Sequence, residues 1–229
     1  MNILVTGTNR GIGLELTRQL VASGNNVFAT CRTPSADLEK TKATIIPDIS
    51  MENDTVITNL KNCKILPQKL DGVICNAGCL SRESLQDLSC TETLSDQFQV
   101  NSLGPLRVFK GLENRLDSGS KFVVISSILA SIELNQFEEG NRHMQGGYYG
   151  YRMSKAAANM AMASLAVDVR DRNISVGMIH PGYVKTDMTE GRGDIEKMES
   201  AKGVIDRFNE LNIETSGTFL RWNGEKLPW

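Results

Sequence analysis

The sequence predicts an α/β fold, with seven parallel strands in one sheet and helices on both faces. Two observations lead there. Short apolar runs alternate along the whole chain with longer segments of helical periodicity, the pattern left by parallel strands joined through helical crossovers. The first run, Ile3-Leu4-Val5, passes straight into Thr6-Gly7-Thr8-Asn9-Arg10-Gly11-Ile12-Gly13, a glycine-rich turn between a strand and a helix. That arrangement specifies a single Rossmann-type doubly wound domain, expected to span residues 1–229.

Strands are expected at 2–6, 26–31, 43–47, 71–75, 120–126, 174–180 and 217–221. Helices are expected at 11–23, 52–62, 93–115, 148–171 and 201–211. Right-handed crossovers then place ligands at the carboxyl ends of the strands. Two segments read as loops beside that end: a polar insertion at 130–147 and a charged segment at 187–200.

Composition excludes several classes. The chain is 40% hydrophobic and 23% charged with a net charge of −2, so no basic stripe offers a nucleic-acid surface. No apolar run has the length needed to cross a bilayer. The first strand begins at residue 2, which leaves no room for a leader and points to the cytoplasm. Five cysteines (Cys31, Cys63, Cys75, Cys79, Cys90) read as reduced thiols, and the two histidines, His143 and His180, lack ligand spacing, so no metal is expected.

The glycine turn carries the first functional signal. Gly7 permits the tight turn, Gly11 lets backbone approach a phosphate, and Gly13 lets the helix lie close to the strand. The N-terminus of the helix offers unpaired N–H groups and a positive dipole end to a pyrophosphate. A second signal is Tyr151 and Lys155, four residues apart at the start of an alanine-rich helix. That spacing puts both on one face, where an ammonium lowers the pKa of a phenol by stabilising the phenolate. Ser126 and Ser127 end the strand Phe122–Ile125, and a hydroxyl there can bond a substrate carbonyl. A third signal is Pro105, which has no N–H and whose ring clashes with the carbonyl four residues back, that of Asn101. The helix is expected to kink there and free the Asn101 carbonyl.

Taken with Asn76-Ala77-Gly78 and Pro181-Gly182-Tyr183-Val184-Lys185-Thr186, each after an apolar strand, the chain resembles the short-chain dehydrogenase/reductase family in its compact form. The stretches 149–155 and 180–188 and the Leu-Pro-Trp end look most like its sniffer-type carbonyl reductases. The resemblance implies a catalytic tetrad of Asn101, Ser127, Tyr151 and Lys155, with Ser126 the alternative to Ser127. Tyr151 would be the general acid in reduction. Lys155 would lower its pKa and bond the nicotinamide ribose, Ser127 would orient the carbonyl, and the Asn101 carbonyl would serve a proton relay. The resemblance also implies cofactor contacts from Gly7, Asn9, Arg10, Gly11, Ile12, Gly13, Asp48, Ile49, Asn76, Ala77, Gly78, Tyr151, Lys155, Pro181, Val184 and Thr186.

Cofactor choice is legible too. The second strand ends Ala29-Thr30-Cys31-Arg32, without the acid that would bind the ribose 2′-hydroxyl of NAD. Arg10 and Arg32 could jointly hold a 2′-phosphate, which selects NADPH/NADP+. The expected function is NADPH-dependent reduction of a ketone, aldehyde or quinone. The alternatives are an NADP-dependent alcohol dehydrogenase working oxidatively and a cofactor-sensing signalling protein of the same fold. Two features depart from the family pattern. Ser127 and Tyr151 are 24 residues apart, longer than usual, so the 130–147 insertion with Glu138, Glu139, Arg142 and His143 would shape the substrate site. Tyr148 lies seven residues before Lys155, a spacing similar to divergent enoyl reductases, which the glycine motif opposes. The apolar helix around 156–169 suggests a homodimer through 93–115 and 148–171, unless the insertion caps that face.

Overall fold

A computed structural model describes residues 1–88, 91–136 and 146–229. Seven strands are present: β1 (Asn2–Thr6), β2 (Asn26–Thr30), β3 (Thr44–Ile46), β4 (Leu70–Cys75), β5 (Leu116–Ile125), β6 (Ser175–His180) and β7 (Thr218–Arg221). They form one sheet in the order β3-β2-β1-β4-β5-β6-β7, and every neighbouring pair is parallel. The chain winds outward in one direction from β1 to β3 and in the other from β4 to β7. The winding reverses between β1 and β4, and a doubly wound sheet has its ligand crevice at the carboxyl ends of the strands beside that switch.

The central segments of the strands, such as Ile3–Val5, Val73–Cys75 and Phe122–Ile125, are apolar on both faces because both faces of the sheet are covered. Successive side chains point to opposite faces. Leu4, Val73, Phe122 and Val124 enter the core beneath α3 (Thr55–Lys61), α5 (Gly104–Leu112) and α6 (Tyr149–Asp168). Ile3, Val5, Ile74, Val123 and Ile125 enter the core beneath α1 (Gly11–Ala22) and α7 (Lys197–Glu210). Gly72 makes room for the second of these: a Cβ there would lie 2.2 Å from the ring of Phe208 on α7.

Several boundaries differ from expectation, each for a local reason. The single helix expected over 93–115 is three pieces: α4 (Glu92–Phe98), a π-helical turn (Gln99–Leu103), and α5, which is followed by a 3-10 turn. Pro105, the second residue of α5, has no N–H for the carbonyl of Asn101, and the ladder changes pitch one turn earlier, with Gly104 N–H bonding Gln99. β5 starts at Leu116 rather than 120, because the polar stretch 117–120 is a bulge in the pairing with β4 and not a loop. The segment 187–200 is largely ordered. Asp187–Thr189 is a 3-10 turn, and α7 starts at Lys197, four residues early, with Ser200 buried and bonded to the Pro181 carbonyl. A short helix, α2 (Ala36–Glu39), capped by Ser35, is too brief to leave a periodic signal. The part of the insertion that holds Glu138, Glu139, Arg142 and His143 lies outside the described residues, as does Cys90.

Candidate active site

The glycine turn bridges β1 and α1 at the edge of the crevice. Gly7 and Gly11 have φ of +70° and +58°, in the left-handed region where a side chain is strained. Gly13 is required by proximity: a Cβ there would lie 2.2 Å from the Gly7 carbonyl oxygen and 2.4 Å from Asn76 Nδ2. A Cβ on Gly7 would sit 2.7 Å from Ala77 Cα. The turn is thus moulded onto Asn76-Ala77 at the end of β4. Asn76 Nδ2 donates to the Thr6 and Gly7 carbonyls, and the Thr6 hydroxyl accepts from the Asn76 and Ala77 N–H groups. Arg10 precedes α1 in an extended conformation and makes no side-chain cap, so its side chain does not occupy the first N–H groups of the helix. Ile12 packs against the core beneath α1.

Other expected cofactor residues gather along the same end of the sheet. Asn9 faces its own chain, donating to the Thr33 carbonyl and accepting from Ser35 N–H, and so fixes the glycine turn to the loop after β2. Arg10 and Arg32 are exposed and pair with Asp187 (3.4 Å) and Glu52 (3.5 Å). Asp48, at φ +60°, and the buried Ile49 follow β3 and are held by the carbonyls of Arg32 and Cys31. Val184 is buried and pairs with Ile195. Thr186 caps the 3-10 turn reciprocally with Thr189 and stands 3.7 Å from where a Cβ on Gly11 would be.

The tetrad residues come from three elements and meet. The Ser127 hydroxyl is hydrogen-bonded to that of Tyr151 and accepts from Leu129 N–H. Ser126 is turned away, its hydroxyl bonded to Asn159 Oδ1 at 2.6 Å in the interior of α6. Tyr148 precedes α6 in a left-handed conformation with its N–H on the Glu83 carbonyl, so the tyrosine joined to a strand-end serine is Tyr151. Lys155 is buried, donates to the Ile125 carbonyl at 2.8 Å and lies 5.6 Å from the Tyr151 ring centroid. Asn101 sits in the π turn, where its amide pairs with the Cys79 backbone on both sides at 2.9 Å. Gly78 lets these groups approach. A Cβ there would lie 3.1 Å from Asn101 Oδ1 and 3.6 Å from Lys155 Nζ. Among the described residues no group of three or more side chains is suited to a metal.

The profile of the short chain dehydrogenase family matches residues 1–197. The chain belongs to this family. Among its short-chain relatives, the 1-hydroxy-2-glutathionyl-2-methyl-3-butene dehydrogenase of Rhodococcus sp. (strain AD45) is 32% identical over 232 aligned residues covering 99% of each chain. Among solved structures, the carbonyl reductase Sniffer of D. melanogaster superposes with a TM-score of 0.84 at 28% identity, covering 100% of this chain and 99% of the other. The NADPH-bound carbonyl reductase from chicken fatty liver gives a TM-score of 0.87 at 27% identity, covering 100% and 98%. In this short-chain dehydrogenase no helix of the described residues is long and apolar enough to cross a membrane.

The electrostatics of the pair differ from expectation. Burial pushes the Tyr151 hydroxyl up to about 12, and the hydrogen bond with Ser127 opposes this only in part. Burial pushes Lys155 down to about 8. Three further residues serve the site and were not singled out from the sequence. Ser154 accepts from Asn101 Nδ2 and donates to the Tyr151 carbonyl, Asn159 holds Ser126, and Thr6 laces β1 to the segment after β4. A serine three residues after Tyr151, on the buried face of an apolar helix, was a readable signal.

Proposed function

We propose that this protein is an NADPH-dependent carbonyl reductase, one catalytic domain that reduces a ketone, aldehyde or quinone in the cytoplasm. The observation that carries this reading is the Ser127–Tyr151 hydroxyl pair with buried Lys155 against its ring. The residues present suit a nicotinamide dinucleotide. Gly7 and Gly13 occupy positions where any side chain would collide, beside a helix N-terminus free of a side-chain cap. The turn from Gly7 to Gly13 would hold the pyrophosphate, Arg10 and Arg32 the 2′-phosphate, and Asp48 and Ile49 the adenine. Asn76, Ala77, Gly78, Lys155, Pro181, Val184 and Thr186 would line the remainder. When bound, NADPH supplies the hydride.

The chain's own groups handle the oxygen. The Ser127 hydroxyl bonds the substrate carbonyl and stabilises negative charge as it develops there. Tyr151, fully protonated at neutral pH, donates its proton to that oxygen. The resulting phenolate lies in a buried site, and Lys155, still charged below about 8, compensates it and can return a proton. A tyrosine with a raised pKa suits an acid better than a base, which favours reduction. Oxidation is the second reading, favoured by the relative's name as a dehydrogenase.

The test is a panel of carbonyl compounds followed by loss of NADPH absorbance; a panel without turnover refutes the proposal. Arg32→Asp is expected to lower the ratio of kcat/KM for NADPH over NADH by about tenfold, because one charge-assisted bond to the phosphate is replaced by repulsion. A native enzyme that prefers NADH would overturn the cofactor assignment.

A further inference from the structure

Two loops meet at the carboxyl end of the sheet. After β4 the chain passes Cys79, pinned by Asn101, and reaches Glu83, whose carbonyl accepts the Tyr148 N–H at 2.8 Å, three residues before Tyr151. After β6 it passes Thr186, which leans on the glycine turn, and reaches Glu190. The loops are joined by Arg82 Nη1 and Glu190 Oε1, 2.5 Å apart. Arg192 Nη2 closes on the other oxygen, Oε2. Glu190 takes this position at φ +53°, in the left-handed region that a residue with a side chain adopts reluctantly. Glu83, beside Arg82 in sequence, turns its carboxylate inward to Gln97.

Two guanidinium groups therefore converge on one carboxylate where the loop after β6 meets the loop whose Glu83 carbonyl holds Tyr148. Guanidinium forks match carboxylates in shape and charge. The three side chains are 39%, 54% and 63% exposed, so water screens the pairs and an incoming anion can compete for them. We propose that the carbonyl substrate carries a carboxylate away from its reacting carbon, and that Arg82 and Arg192 bind it in place of Glu190. The exchange is like for like: one carboxylate leaves the arginines, another enters, and no net charge is buried. Glu190 then acts as an internal competitor that keeps the arginines apart from other anions. This rests on the reductase reading and names the substrate class for it.

The experiment uses a chain-length series of oxo acids and their methyl esters, with NADPH and the whole protein. The readout is the acid-to-ester ratio of kcat/KM, with melting temperature as the control for folding. At one chain length the acid is expected to be favoured by about tenfold, carried mostly by KM and eroded by added salt. Arg82→Gln and Arg192→Gln should each lower that ratio, and Glu190→Gln should raise it. Reduction of acids and esters alike at every length, or an acid preference untouched by both arginine variants, overturns the proposal and leaves the reductase reading standing. If neither acids nor esters nor the carbonyl panel is reduced, the reductase reading fails and takes this inference with it.

Discussion

At the residue scale, the site depends on two buried groups with opposed shifts. In the proposed mechanism Tyr151→Phe removes the proton donor and keeps the ring, so we expect turnover to fall by about 10²–10⁴-fold with NADPH binding retained. Rapid-mixing assays with fluorescence titration of the cofactor check this; a Phe variant with near-normal turnover sinks the assignment of Tyr151. Lys155 leads to a different prediction. Its pKa falls from 10.5 unfolded to about 8 folded, so the folded chain binds fewer protons between those values. Stability attributable to this group is therefore fully present above about 10.5 and is lost as pH drops toward 8. Lys155→Met removes the titration. Its stability relative to the native protein should fall by roughly 3 kcal/mol as pH rises from about 7 to above 10, with activity absent throughout. Urea melts at both pH values decide it, and a gap independent of pH counts against a cation buried at a cost.

At the scale of elements, the π turn between α4 and α5 is the informative one. The sequence alone located it, because the missing N–H of Pro105 and the clash of its ring are local facts. Its form was not legible. The Gln99 carbonyl is held by Gly104 N–H and by Arg107, which also reaches the Gln99 side chain and, from a distant part of the chain, the Met51 carbonyl and Asp54. The same division holds elsewhere. The glycine turn, Tyr151 and Lys155 were readable because spacing alone places them. The bond that turns Ser126 toward Asn159 was not readable, and the early start of α7 was hidden because Lys197, Met198 and Glu199 all lie on its solvent face. Pro105→Ala restores an N–H that can bond the Asn101 carbonyl. It should drive the turn toward regular α-helix and move Asn101 off the Cys79 backbone. Turnover should then fall while the melting temperature holds or rises, since proline within a helix costs about 3 kcal/mol relative to alanine. A variant of unchanged activity and raised stability would show that the turn is not needed. Retained activity with lowered stability would point to Arg107 and its partners as what holds the turn.

At the scale of the whole molecule, α6 buries one side on the sheet and leaves Met153, Met160 and Val167 on the other, 56%, 69% and 74% exposed. These residues are seven apart, so they form one stripe, with Phe98 of α4 and Leu106 of α5 also partly exposed. We expect this surface to pair two copies of the chain. Light scattering at micromolar protein should give a dimer, and Met160→Glu should return it to a monomer. A monomeric native protein would assign the stripe to some other cover.

The crevice itself is the other whole-molecule feature. Where β1 and β4 part, each would ordinarily present bare amide groups to its neighbour across a widening gap. The Thr6 hydroxyl takes up two of those N–H groups and the Asn76 amide reaches two of the carbonyls, so the gap opens with its edges satisfied. The opening is therefore a hem rather than a tear. One threonine and one asparagine finish that edge, so the four backbone groups there do not depend on a bound ligand for their hydrogen bonds.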